Sequence, residues 1–119
     1  MSIEIFKIGD ICLVKLPKCG KYCLHGLHKC VICGRSGSNY VVAPISSNRK
    51  ELKLCEYPVE AGRCGMAWDS KIKLDQIRPV SAELVLKRDQ NRADEGMLKA
   101  ISNYLKKEAE EIENFRTAA

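Results

Sequence analysis

From Gly9 to Ile77 the apolar residues come in short alternating or continuous runs, each closed by turn-forming residues, which is the pattern of a small antiparallel β structure. Five strands are predicted there: Asp10 to Leu16, Leu27 to Cys33, Asn39 to Ile45, Glu51 to Tyr57 and Trp68 to Leu74. Pro17 and Gly20, the Gly34-Arg35-Ser36-Gly37-Ser38 stretch, Ser46 to Arg49, and Gly62 to Gly65 supply the breaks. Pro79 lacks an N–H for a ladder and bars a central strand at its own position. A helical turn at Ser81 to Leu84 and an edge strand at Val85 to Arg88 are expected to follow.

The period then changes. Met97, Ile101, Tyr104, Leu105, Ile112 and Phe115 recur at helical spacings, so a helix from about Arg92 to Phe115 carries one apolar stripe. Asn91 stands where a cap belongs, and Asp94 and Glu95 fall in the first turn, where carboxylates suit the positive end of the helix dipole. Such a helix most simply covers the core, with partner binding as the alternative, and its last turns are expected to overhang. There is no repeat, low-complexity tract or linker. The expectation is one domain over residues 1–119, mainly β with α, the β part at about 9–90 and the helix at about 92–115.

Composition narrows the class. A chain of 119 residues, 45% hydrophobic and 29% charged, suits one soluble domain. At this size roughly two-thirds of the unfolded surface can be buried, enough for a core without metal or disulfide staples. The seven cysteines are thus not required as scaffolding, and an odd number cannot all pair within one chain. No apolar run approaches a membrane span, and the first residues lack the pattern of a secretory signal, so a cytoplasmic protein with reduced thiols and no membrane partner is expected.

Charge is uneven. The net is +5, yet Lys15 to Lys53 holds eight basic residues against Glu51 alone, a local excess of +7, and the rest nets −2. A concentrated positive field attracts polyanions such as RNA through phosphate contacts, while solvated basic loops would show the same count.

Several segments in order match one family. Gly9-Asp10-Ile11-Cys12-Leu13-Val14 opens the first strand, Gly26-Leu27-His28-Lys29-Cys30-Val31-Ile32 the second, and Val41-Val42-Ala43-Pro44-Ile45-Ser46-Ser47-Asn48 ends the third; Asp69-Ser70, Ile72 and Leu74-Asp75-Gln76-Ile77-Arg78 complete the series. Between about Gly9 and Leu105 the chain resembles the MazF/PemK-type toxins of toxin–antitoxin pairs, a group that includes Kid. The resemblance implies an SH3-like small antiparallel β-barrel with a C-terminal α-helix, a homodimer, inhibition by a cognate antitoxin protein, and cleavage of single-stranded RNA with no metal or other cofactor. In that family the ribose 2′-hydroxyl attacks the neighbouring phosphate, leaving a cyclic phosphate and a 5′-hydroxyl. Such chemistry needs a base, an acid, and donors for the charge developing on the phosphoryl oxygens.

The resemblance also assigns residues. Where the family has Arg-Pro, with the arginine as acid/base and phosphate binder, this chain has His28-Lys29. An imidazole, with an unperturbed pKa near ~6.5, can give and take protons at neutral pH; a polar strand-start residue in an impaired site is the other reading. Ser46 stands at the family's catalytic threonine or serine and can hold a phosphoryl oxygen. In the Kid branch an arginine and an aspartate two residues apart on a late strand are proposed as acid and base, and Lys73 and Asp75 match that spacing, with surface ion pairing as the alternative. Lysine keeps the charge and loses the bidentate fork. Gln76 and Arg78 match a motif read as structural. The loop from Pro17 to Gly26, which in the family lies over the RNA groove, carries Lys18, Lys21, Tyr22 and His25; the expected RNA contacts are Lys18, Lys21 and Tyr22 with Lys29, Ser47, Asn48 and Arg49.

Three rivals stand beside this reading. One is a family member that binds RNA or a protein without cutting. Another is a zinc-stabilised module: Cys19, Cys23, His25, His28, Cys30 and Cys33 crowd together, and Cys30-Val31-Ile32-Cys33-Gly34 resembles a zinc knuckle. Against zinc, Cys30 and Cys33 face opposite sides of a strand, and Cys55 and Cys64 are too far apart to supply a second pair; Cys12, Cys30 and Cys55 read equally well as small hydrophobes. The third, gyrase poisoning as in the related CcdB fold, fits less well, because CcdB lacks the hydroxyl motif after the third strand.

Overall fold

The computed structural model describes residues 5–47, 52–53 and 55–118. Seven strands form an antiparallel sheet: β1 (Asp10–Leu16), β2 (Gly26–Ser36), β3 (Asn39–Ser46), β4 (Glu56–Val59), β5 (Ser70–Lys73), β6 (Arg78–Ser81) and β7 (Val85–Arg92), followed by helix α1 (Glu95–Ala118). The path runs β4-β5-β3-β2-β1-β7, with β6 also on β3. The result is the expected barrel-like fold of antiparallel strands with a C-terminal helix. Among the described residues its sheet does not close, because β4 pairs only with β5 and β7 only with β1.

Both faces of the central strands are buried, which explains why their sequences read as apolar runs as well as alternations. Cys12 and Val14 of β1, Cys30 and Ile32 of β2, and Tyr40 and Val42 of β3 enter one core with Phe6, Val80 and Val85. Their neighbours Ile11, Val31, Ala43 and Ile45 enter a second core with Val59, Ile72, Met97 and Ile101. Successive side chains on a strand point to opposite faces, so one residue of slip would exchange the two cores and expose the mismatch.

The first and third strands lie where the alternation places them, apart from one extra residue, Ser46, at the end of β3. β2 runs on to Ser36 instead of breaking at Gly34, because a bulge between Ile32 and Gly34 absorbs the glycine; the turn then contracts to Gly37-Ser38, where Gly37 takes φ +60°. β5 starts at Ser70, so Trp68 belongs to a loop. β4 covers only Glu56–Val59; the predicted start of that strand at Glu51 lies outside the described residues. Pro79 is in β6, which among the described residues pairs only with β3, an edge position that tolerates the missing donor. β7 reaches Arg92, which pairs with Asp10, so the helix starts later than expected. Its cap is Asp94, whose Oδ1 accepts the Met97 N–H at 2.9 Å, and not Asn91, which donates to Asp89 Oδ1 at 3.1 Å.

In α1 only Met97 and Ile101 are fully buried; Leu98 and Tyr104 pack partly, and Leu105, Ile112 and Phe115 are exposed. The stripe therefore seals the second core with its first half and overhangs with its second. Among the described residues no helix is long and apolar enough to cross a membrane.

Candidate active site in the groove between the second and third strands

The β2–β3 ladder runs from Ser36↔Asn39 to Cys30↔Pro44 and stops at a proline that has no N–H to donate. Beyond it β3 turns its other edge to β5, pairing Ile45↔Ile72 and Ser46↔Lys71, while β2 stays with β1 as far as Leu16↔Gly26. Carried two residues past the last pair, the same register sets His28 across from Ser46. Here a groove of about 300 Å³ opens, with His28 and Lys29 of β2 on one side, Ile45 and Ser47 on the other, and Trp68 and Ser70 among the remaining lining residues.

His28 is half-buried, and its Nε2–H donates to the His25 carbonyl at 3.0 Å. A neutral ring held in this way keeps its lone pair on Nδ1, the nitrogen then able to take a proton. Ser46 is buried against β5 opposite Lys71, whereas Ser47 is exposed and is the hydroxyl of the two that lines the groove. Lys29 is also in the groove, with Nζ 3.0 Å from Asp89 Oδ2. Burial raises the Asp89 pKa, but the Asn91 N–H and the Lys29 ammonium outweigh it and hold the carboxyl below its ordinary value.

Lys73 and Asp75 are arranged differently from the expectation. Lys73 ends β5 with Nζ 3.2 Å from Glu56 Oε2, while Asp75 sits exposed in the tight helical turn Leu74–Gln76. The two are therefore not neighbours on one strand face, and alternation no longer aims them at a common phosphate. Gln76 and Arg78 do have the structural part read for them. Gln76 accepts the Leu24 N–H at 2.8 Å and donates to the Tyr22 carbonyl at 3.2 Å; Arg78 donates to the carbonyls of Pro17 and Leu24 at 3.1 and 2.8 Å. Between them they fasten the loop that bears Lys18, Lys21 and Tyr22. Tyr22 is 85% exposed, and the Lys21 ammonium lies 5.7 Å from its ring centre. Asn48 and Arg49 lie outside the described residues.

Three residues of this region are not marked as functional by the sequence pattern. Trp68 reads as a strand start, although Gly65 before it and Asp69-Ser70 after it signal a loop. Glu56 and Lys71 form a buried ion pair at 2.9 Å beside Ser46; the alternation Lys71-Ile72-Lys73 marks one polar face, but nothing in the sequence ties it to a carboxylate fifteen residues away. Burial raises the Glu56 pKa, yet the Lys53 N–H and the Lys71 and Lys73 ammonium groups overcome this and hold it at about 2.

The cysteines divide as the alternation requires. Cys30 lies in the first core and Cys33 packs against the second, and burial pushes both thiols up to about 12. Among the described residues no three His, Cys, Asp or Glu side chains are grouped to hold a metal ion.

A barrel-like antiparallel sheet, capped by a C-terminal helix and opening beside a histidine and two serines, defines a small β-rich protein with a groove at a sheet split. The model of the PemK-like, MazF-like toxins of type II toxin–antitoxin systems matches residues 7–108, and the chain belongs to this family. A comparison with individually curated proteins finds none that matches.

Proposed function

We propose that this toxin is an endoribonuclease that cleaves single-stranded RNA in the groove between β2 and β3, with the substrate's own 2′-hydroxyl as nucleophile. Because the nucleophile belongs to the substrate, the chain need only move protons and stabilise charge, and no metal is required. The observation that carries the reading is the groove itself: it is lined by His28, Lys29 and Ser47 where the β2–β3 ladder ends at Cys30↔Pro44, and a neutral His28 ring that donates to the His25 carbonyl keeps its lone pair on Nδ1. His28 acts as the acid/base, and a serine hydroxyl with Lys29 holds the phosphoryl oxygens. Lys73, held by Glu56, and Asp75, in the turn after β5, are left as separate auxiliary candidates that do not line the groove. The loop carrying Lys18, Lys21 and Tyr22 guides the strand with Asn48 and Arg49. The protein acts in the cytoplasm as a homodimer restrained by a cognate antitoxin.

The test is to incubate the protein with a long single-stranded RNA in excess chelator and to map the ends. Cleavage is expected to survive chelation and to leave 5′-hydroxyl ends. His28→Ala is expected to lower the rate ~10²- to 10⁴-fold, the usual worth of a positioned acid/base. Ser46→Ala and Ser47→Ala, compared side by side, identify the hydroxyl that is used. RNA bound but left whole would replace this reading with that of a non-cutting member, and cleavage untouched by His28→Ala would remove His28 from the chemistry.

A further inference from the structure

The groove beside His28 has an aromatic wall that proton transfer does not use. Trp68 is the chain's single tryptophan, is 59% exposed and lines this groove, as does Leu27, itself 60% exposed. Large apolar side chains left open to water around one concavity mark a contact surface. The backbone beneath the indole is held from both sides. Met66 is buried in the second core and its N–H donates to the Arg63 carbonyl at 3.1 Å; Asp69 Oδ1 accepts the Ala61 N–H at 2.9 Å; and Ser70 Oγ donates to the Trp68 carbonyl at 2.9 Å. The backbone that carries the ring thus stands on a fixed base and needs little ordering when something packs on it.

The chemistry of the groove selects the occupant. Trp68 and Leu27 share its lining with His28, Lys29 and Ser47, in a chain whose positive excess is concentrated between Lys15 and Lys53. Stacking surface next to cationic, hydrogen-bonding groups is the arrangement that binds single-stranded nucleic acid, the ring taking a base and the polar groups its backbone. A volume of about 300 Å³ is at the small end of ligand sites, room for one base and not for a duplex.

We propose that Trp68 is the stacking platform for one unpaired nucleobase of the strand whose backbone passes His28 and Ser47, and that it governs affinity at that nucleotide. The proposal rests on reading the groove as a nucleic-acid site but not on cleavage. Because there is one tryptophan, fluorescence excited at the red edge of the indole absorption, where the four tyrosines do not absorb, reports this side chain alone. The protein is titrated with a mixed-sequence 2′-deoxy oligonucleotide, which lacks the nucleophile, with an abasic strand of equal length, and with heparin. Quenching is expected with the base-containing strand and little with the other two. By anisotropy of a labelled strand, Trp68→Ala is expected to weaken binding about 5- to 150-fold, the worth of one stacked base, while Trp68→Phe keeps most of the affinity and circular dichroism shows both variants folded. Equal quenching by abasic and base-containing strands, or unchanged binding by Trp68→Ala, overturns the proposal. Base-dependent quenching by a protein that never cuts RNA would sink the nuclease reading and leave the platform standing; cleavage with a silent Trp68 would do the reverse.

Discussion

At the scale of single residues, the carboxylate of Glu56 is buried between two ammonium groups. Its side chain is almost wholly inside, accepts the Lys53 N–H at 2.7 Å, and faces Lys71 at 2.9 Å and Lys73 at 3.2 Å. Removing one partner of a buried pair leaves the other charge uncompensated, so Glu56→Gln is expected to cost ~3–5 kcal/mol of stability, read from urea unfolding at neutral pH. The pH dependence follows from the depressed acidity. With a folded value of about 2 against an ordinary 4.5, the unfolded chain binds the proton more readily, so this stabilisation is complete above about 4.5 and drains away as the pH falls towards 2. The wild type should therefore lose stability steeply over that window, and Glu56→Gln less steeply. Asp94, which Arg63 holds well below the usual carboxylate range, maintains part of the acid slope in both. A variant with the same slope as the wild type would show that Glu56 titrates normally.

At the scale of elements, helix α1 divides into a half that builds the fold and a half that does not. Asp94 caps it and is gripped by the Arg63 guanidinium, which also donates to the Tyr57 hydroxyl at 2.7 Å, so the helix start is tied to β4 and to the turn before β5. Met97 and Ile101 are its fully buried residues. Met97→Ala is expected to cost ~2–5 kcal/mol through the cavity it leaves, whereas deleting residues 109–118, all of them exposed, should move the melting temperature by no more than about a degree or two. A truncation as damaging as Met97→Ala would mean that the overhang packs against something that holds the fold. The same element shows what is legible in the sequence. The apolar period identifies the helix and Met97 and Ile101 within it, because a 3.6-residue stripe is a local signal. It points to Asn91 as the cap, wrongly, because the continuation of β7 to Arg92 depends on pairing with Asp10, a contact across the whole chain that no local pattern encodes. For the same reason β1 and β3 can be read from alternation, while the bulge that carries β2 to Ser36 and the turn that takes Asp75 off its strand cannot.

At the scale of the whole molecule, the site is a product of topology and charge together. The two serines are legible because they stand in a family motif, and His28 because it stands at the position of the family's arginine; that Ser47 rather than Ser46 opens onto the groove, and that Trp68 walls it, depends on where β3 leaves β2 for β5. The positive excess is legible as a count, and the fold gives part of it a place. Lys18 and Lys21 stand exposed on a loop that Gln76 and Arg78 fasten to the turn before β6 and to β6 itself, while Lys29 shares the groove with His28. A fastened loop presents its charges at fixed positions, so each lysine that meets a phosphate should displace a counterion in the same way on any sequence. Binding of a single-stranded oligonucleotide is therefore expected to weaken linearly on a log–log plot against salt, and the double variant Lys18→Gln, Lys21→Gln should make that slope shallower by about 1 to 1.5, at ~0.7 for each phosphate no longer neutralised. Because phosphates carry no sequence information, the weakening should be the same for oligonucleotides of different sequence. A slope unchanged by the double substitution would place the strand away from this loop, and a weakening confined to one sequence would mean that the loop reads bases.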